Sequence, residues 1–326
     1  MSLIKDILVG EVNEMKKKFL IFLCLFFSFT LFVEAKEIEI SNKIIEFVKI
    51  DDFDLQGFTV VNDSLFIVLV NDDETKSLVK VFDLVNMQEI YNLNFGSLGH
   101  ANDVTYNKRT NKIYVLAGSG SNKVYVFNGS NFKYEECLEV NFLPRSITYI
   151  EEMNKYAVRL VTSGFLVNSE WEFDSKWPFI TGMNLRKDVG RQGWAYYNGY
   201  IYYANWSWIR MGGNGTNNVM VYNLNGEKVD ELLTTNQLGE LEDIAFYGNK
   251  MILGFNCYDN RISFYWEEVP EIEISKNLEE LKNDSEVSKD IIQYEKTYYF
   301  YLLPIIALIL ICFLLKKLIF DKVGKK

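Results

Sequence analysis

A pair of short apolar strands joined by a turn recurs five times along this chain, and no other sequence feature limits the possible folds so tightly. The first copies are Phe58-Thr59-Val60-Val61 before Leu65 to Val70, and Val104-Thr105-Tyr106 before Ile113-Tyr114-Val115. The third is Ile147-Thr148-Tyr149 before Tyr156-Ala157-Val158. The last two are Trp194-Ala195-Tyr196 before Tyr200 to Tyr203, and Ile244-Ala245-Phe246 before Met251-Ile252-Leu253. The copies begin at positions 58, 104, 147, 194 and 244, so they are spaced by 46, 43, 47 and 50 residues. A period of that length belongs to four-stranded propeller blades arranged around a channel.

The remaining strands of each blade can be sought in the same way. Third strands fall at Leu78 to Phe82, Val124 to Phe127, Val219 to Tyr222 and Ile262 to Tyr265, with Trp171-Glu172-Phe173 as the candidate in copy three. Fourth strands fall at Glu89 to Leu93, Glu136 to Val140, Phe179 to Met183 and Lys228 to Leu232. Copy five has no clear fourth strand, but an orphan strand, Ile44 to Val48, precedes copy one. If it completes copy five, the ring closes and hides sheet edges that would otherwise pair with other chains. The expected fold is therefore an all-β propeller of five blades closed by an N-terminal strand. A six-bladed ring would use Glu37 to Ile40 and Glu271 to Ile274. A β-sandwich would share the short strands and turns such as Asn198-Gly199, but not the period.

The two ends read as membrane-directed segments. Lys16, Lys17 and Lys18 precede an apolar run of 15 residues, Phe19 to Val33, and then Val33-Glu34-Ala35. A basic start, a short apolar stretch and small residues at the exit describe a secretory signal over residues 1–35, with Met15 as an alternative start. Tyr298 to Leu315 is an uncharged apolar segment of 18 residues, opened by Tyr298, Tyr299, Phe300 and Tyr301. Lys316, Lys317, Lys322, Lys325 and Lys326 follow it, so the expectation is one C-terminal transmembrane helix over 298–315 with a basic cytoplasmic tail, 316–326. The body, 36–275, then lies outside the cytoplasm on a polar stalk, 276–297.

Charge removes one class of partner. Of 34 basic and 44 acidic residues, 1–35 hold four of each and 298–326 hold five and one. Residues 36–297 keep 25 and 39, a net charge of −14, and such a surface repels nucleic acid and anionic membrane. Only Cys137 and Cys257 fall in the body, on strands of non-adjacent blades, and read as small buried hydrophobes rather than a bridge.

Polar groups cluster just ahead of the first strand of each blade. They are Gln56; His100, Asn102 and Asp103; Arg145; Arg191 and Gln192; and Glu240, Glu242 and Asp243. First strands line a propeller's channel, so these residues are the candidate ligand-binding rim, against the plainer reading that they satisfy loop backbone. Five of six tryptophans lie between Trp171 and Trp208. Trp194, Trp206 and Trp208 are candidate stacking platforms, although packing between blades would also use them. Asn71-Asp72-Asp73-Glu74 lacks the spacing of a calcium loop and reads as a solvated turn. A single histidine cannot build a His-rich metal site. No phosphate loop, dinucleotide fingerprint or nucleophile elbow is present, so neither a cofactor nor a catalytic set is implied.

The body resembles bacterial extracytoplasmic propellers of the broad NHL/WD-like kind. Gln56-Gly57-Phe58-Thr59 is also similar to the Gln-Gly-Leu strand start of five-bladed glutaminyl cyclotransferases, which carry secretory signals. That likeness implies a peptide-end cyclising activity with a glutamate in a Gly-Glu-Gly-Leu-Thr segment. Here the corresponding residues are His100 to Thr105, without the glutamate, and Arg145-Ser146-Ile147-Thr148 replaces a Trp-Gly-Leu start. The expectation is a tethered module binding an extracellular protein, peptide or glycan. The alternative is a propeller enzyme, cyclotransferase-like or sugar-cleaving, using Asp103, Glu242 or Asp243.

Overall fold

The computed structural model of the chain describes residues 36–50, 52–118, 120–160, 163–174, 189–207, 216–234 and 238–270. The expected signal, stalk, membrane helix and tail lie outside the described residues, as do Phe179 to Met183, Glu271 to Ile274 and Trp208.

Among the described residues, twenty strands form five sheets. Two belong to the N-terminal segment, β1 (Lys36–Ile38) and β2 (Lys43–Val48). Blade I is β3 (Phe53–Val61), β4 (Ser64–Asn71), β5 (Ser77–Asp83) and β6 (Gln88–Phe95). Blade II is β7 (Asp103–Asn107), β8 (Lys112–Leu116), β9 (Lys123–Asn128) and β10 (Tyr134–Glu139). Blade III is β11 (Ser146–Ile150), β12 (Lys155–Arg159) and β13 (Gly164–Val167). Blade IV is β14 (Val189–Tyr197), β15 (Tyr200–Ser207), β16 (Asn217–Asn223) and β17 (Lys228–Thr234). Blade V is β18 (Gly239–Tyr247), β19 (Lys250–Cys257) and β20 (Arg261–Glu268). The inner strands β3, β7, β11, β14 and β18 contact one another in that order, and β18 returns to β3, so the ring is closed with five blades.

The first hairpin of every blade turns on a residue with positive φ: Asn62, Asn111, Asn154, Asn198 and Gly248. Asn and Gly tolerate the left-handed conformation that a tight hairpin turn demands, so the repeat is written in its turns as well as its strands. Between blades the core is a series of apolar wedges. Phe58 meets Phe264 edge-on at 5.1 Å in the V–I wedge. Phe66 and Phe127 lie 5.5 Å apart between I and II. Tyr156 stacks on Trp171 at 5.1 Å between II and III. Trp194 is buried with Ile201 and Tyr203 between III and IV. Tyr197 stacks on Phe246 at 4.5 Å between IV and V.

The closing strand is β2, antiparallel to β20, with Phe47 opposite Ile262 and Val48 opposite Arg261. Of the first segment that a sixth blade would have used, Glu37 and Ile38 go elsewhere: β1 runs parallel to β17 as a fifth strand of blade IV. Two expectations are corrected. The third strand of blade III is β13, and Phe173 makes only an isolated bridge to Val167, because Trp171 has turned inward to pack on Tyr156. The cysteines are free, but Cys137 is exposed on the outer strand β10 and Cys257 is half-buried, so neither is a core hydrophobe. Cys137 alternates with Glu135 and Glu139 on a strand whose residues are nearly all exposed.

Candidate functional site

The channel is built from one equivalent position in each inner strand. The residues just before the five repeat starts are Gly57, Asp103, Ser146, Gly193 and Asp243. The backbone N–H groups that follow them all donate to two carboxyl groups. Val104 donates to Asp103 Oδ1 at 2.7 Å, while Ile147 and Trp194 donate to its Oδ2 at 2.8 and 3.2 Å. Ile244 donates to Asp243 Oδ1 at 2.7 Å and Phe58 to its Oδ2 at 2.9 Å. Neighbouring inner strands are too splayed to form a ladder, and buried N–H groups need acceptors, so the two side chains supply them across all five blades. Glycine at position 193 leaves the space: a Cβ there would overlap Asp243 Oδ1.

Further contacts of the same kind join neighbouring blades. Tyr149 N–H donates to Thr105 Oγ1 at 2.9 Å and Tyr196 N–H to Thr148 Oγ1 at 2.8 Å. Leu241 N–H donates to Asn217 at 3.0 Å, and Asn256 both accepts from Leu55 N–H at 2.9 Å and donates to its carbonyl at 3.0 Å. Burial holds the Asp103 carboxyl up to about 8 against its three amide donors and the nearby Arg159. Asp243 is raised as well, first by burial and then by the charge of Asp103. Two desolvated carboxyls so placed resist ionising together.

At the end where the inner strands begin, three of them carry a register shift: between Leu55 and Gly57, Arg191 and Trp194, and Leu241 and Asp243. Such bulges re-aim side chains. Gln56, Gln192 and Glu242, which read as loop residues in sequence, are thus strand residues turned toward one cavity of about 790 Å³. Lys49, Asp54, Asp72, His100, Trp206 and Glu240 also line it, with Asn256, Cys257 and Tyr258.

Four carboxylates therefore share a cavity with two basic side chains, both of which have acidic partners. Lys49 forms an ion pair with Asp54, and His100 Nδ1 lies 2.9 Å from Glu74 Oε1. Gln192 Nε2 donates to Glu240 Oε1 at 2.6 Å. Glu242 is 5% exposed, and Asn256 Nδ2 donates to its Oε1 at 2.6 Å. Burial, followed by the charge on Glu240, keeps the Glu242 carboxyl well above the usual range.

The candidate rim thus divides. Gln56, His100, Gln192, Trp206 and Glu242 surround the cavity, whereas Asp103 and Asp243 fill the channel. Trp194 is a core residue between blades, 1% exposed. Asn102 packs over Gly118, and Arg145 is half-buried; neither lines the cavity. Arg191 pairs through its backbone with Asn205, and its side chain lies outside the described residues. Lys49, Asp54, Asp72, Asn256 and Tyr258 were missed by the sequence reading. Antiparallel pairing offered the signal: Asn71 lies opposite Phe53 and Cys257 opposite Gly239, so the ends of second strands return to the rim where first strands begin. Arg159 was missed too. It is buried on β12, donates from Nε to Ser146 Oγ at 2.9 Å and lies 5.5 Å over the Tyr203 ring.

No protein-family model matches the chain, and no curated protein matches its sequence. Among solved structures it is similar to Kuenenia stuttgartiensis hydrazine synthase, at 15% identity and a TM-score of 0.38 over 64% of this chain and 75% of that one. The RRP9 WD40 repeats align at 6% identity and a TM-score of 0.42 over 69% and 99%. A Bacteroides fragilis protein classed as exported aligns at 9% and 0.39 over 73% and 100%. Likeness at this level carries no argument about activity; the propeller assignment stands on the five closed blades, an architecture that generally serves as a binding scaffold.

Proposed function

We propose that the chain is a membrane-tethered extracytoplasmic propeller that binds part of a protein, peptide or glycan in the cavity at the mouth of its channel. The cavity carries this reading. It has the volume of a ligand site, polar side chains from blades I, IV and V converge on it, and Trp206 and Tyr258 add flat aromatic surface. The tether rests on the sequence of residues 298–326. The test is binding of peptide and glycan arrays by residues 36–275, with Trp206→Ala and Gln192→Ala as variants. Binders whose affinity is untouched by both substitutions would place recognition elsewhere.

A second reading is favoured by one observation, the burial of Glu242 two residues from Glu240 on the same strand, which keeps its carboxyl well above the usual range. A buried, proton-retaining carboxyl beside another carboxylate can act as a general acid. Asp103 and Asp243 are poor candidates for that work, since their oxygens are engaged by backbone donors. Turnover of glutaminyl peptides or polysaccharides that disappears in Glu242→Gln would favour the enzyme.

A further inference from the structure

We infer that the mouth cavity takes a neutral sugar ring, whose hydroxyl groups are read by His100 and Gln56. This rests on the binding reading above and names the class of its ligand. The lining divides into groups already paired and groups left open. Lys49 is held by Asp54, Glu240 by Gln192 and Glu242 by Asn256, so three of the four carboxylates and the lysine are engaged before a ligand arrives. The side-chain amide of Gln56 and the Tyr258 hydroxyl have no hydrogen-bond partner among the described residues.

His100 is the open group that its surroundings place most firmly. Its Nδ1 lies 2.9 Å from Glu74 Oε1, and Glu74 is not part of the lining, so Nε2 is the nitrogen left to the cavity. Ser97 ties the same two loops together, its hydroxyl donating to the Glu74 carbonyl and accepting from Gly99 N–H at 3.0 Å. Leu98 N–H donates to Ser77 Oγ at 3.0 Å, and Tyr125 OH donates to the Ser97 carbonyl at 3.3 Å. Glu74 and Ala101 both hold positive φ, at 58° and 51°. Residues other than glycine adopt that conformation at a cost, and it persists where surrounding bonds over-determine it. A loop pair fastened at so many points fixes the direction of a side chain. Gln56 stands beside it: a Cβ on the next residue, Gly57, would lie 3.2 Å from the Ala101 carbonyl oxygen.

The open groups suit an uncharged ligand. A carboxylate only accepts, so Nδ1 of the neutral imidazole donates to Glu74 and Nε2 is an acceptor, while the Gln56 amide both donates and accepts. A hydroxyl does both as well, so neighbouring hydroxyls on one ring can engage the two side chains together. Trp206 and Tyr258 offer flat surfaces to the apolar C–H face of such a ring. An anion would meet carboxylates with no unpaired cation to hold it, and a cation would find only Asp72 without a partner, at the exposed lip. A peptide backbone is matched by a row of main-chain donors and acceptors, whereas the open groups here are side chains of separate loops.

The experiment is titration calorimetry on the membrane-extracted full chain. The neutral probes are trisaccharides of glucose, mannose, galactose and N-acetylglucosamine. Trisaccharides of galacturonic acid and of glucosamine are the charged counterparts, and N-acetyl-trialanine amide is the neutral peptide. At least one neutral trisaccharide is expected to bind about tenfold more tightly than either charged one. His100→Ala and Gln56→Ala should each weaken it about tenfold, the loss of one hydrogen-bonding side chain. His100→Gln, which keeps a hydrogen-bonding group, should recover part of that loss, and Glu74→Ala should weaken binding by releasing the imidazole. Glu139→Gln on the outer strand of blade II should leave affinity unchanged. His100 and Gln56 are only half-buried, so their variants should melt with the native protein. No binding of a neutral sugar, equal binding of the charged sugars, or affinity untouched by both alanine substitutions overturns the inference. If the peptide or a charged probe binds instead and Trp206→Ala abolishes it, the sugar inference falls and the binding reading stands. If no probe binds at the cavity, both fall.

Discussion

At the scale of single residues, two aspartates serve five blades. Asp103 accepts three backbone N–H groups and Asp243 two, so each joins strands far apart in sequence. Asp103→Asn keeps the shape but turns an NH₂ toward backbone donors. At least one buried N–H then loses its acceptor, which costs about 1–3 kcal/mol in urea unfolding. Gly193→Ala should destabilise through the same network by pushing the Asp243 carboxyl aside. The pH dependence has a definite sign. Unfolded Asp titrates near about 3.9, whereas folded Asp103 is raised to about 8. The native state then binds more protons than the unfolded state between those values, so this contribution is greatest below the unfolded value and is lost as pH rises through the folded one. The melting temperature of residues 36–275 should fall from pH 5 to pH 8, and more shallowly in Asp103→Asn. A melting curve equally steep in both proteins would remove Asp103 as the source.

At the scale of elements, β2 is the clasp. Besides its ladder to β20, Glu46 accepts from Arg261 Nη1 at 2.8 Å and from Ser263 Oγ at 3.0 Å, and Phe47 stacks on Phe82 of blade I at 5.8 Å. Deleting residues 36–49 should lower the melting temperature far more than deleting 277–290. The deletion exposes the edge of β20 and removes apolar contacts worth about 25 cal/mol per Å². Equal melting of the two truncated proteins would deny β2 that role. The clasp was legible because Ile44 to Val48 is an apolar strand left over by a five-fold repeat. The inner strands were legible only from their second half. Gln56-Gly57, Gln192-Gly193 and Glu242 break the apolar pattern where the strands bulge, so the sequence presents a loop where the backbone is still paired. The cavity was hidden for a related reason. Its members come from both ends of hairpins, and Asn256 and Asp72 acquire meaning only once β19 and β4 are laid against their inner strands.

At the scale of the whole molecule, the seam between blade V and blade I decides whether the body is self-sufficient. It is sealed by Asp243 on Phe58, by Asn256 on Leu55 and by the Phe58–Phe264 contact, with the N-terminal strand β2 along the outside. Every one of these groups lies between residues 36 and 270, within the body itself. Residues 36–275 produced alone should therefore be a soluble, strand-rich monomer. With most of the net charge of −14 on residues 36–297, it should also stay off anionic lipid vesicles at low salt, where attraction or repulsion between charged surfaces is least screened. The full chain should differ in one respect: its 298–315 segment should keep it in the membrane pellet through carbonate washing, which strips proteins held only by charge. The two measurements separate two claims. Aggregation or strong helical circular dichroism of residues 36–275 would mean the ring does not close on its own. Release of the full chain by carbonate would leave the propeller intact and remove the tether, since an acidic body with no apolar anchor has no other hold on a lipid surface.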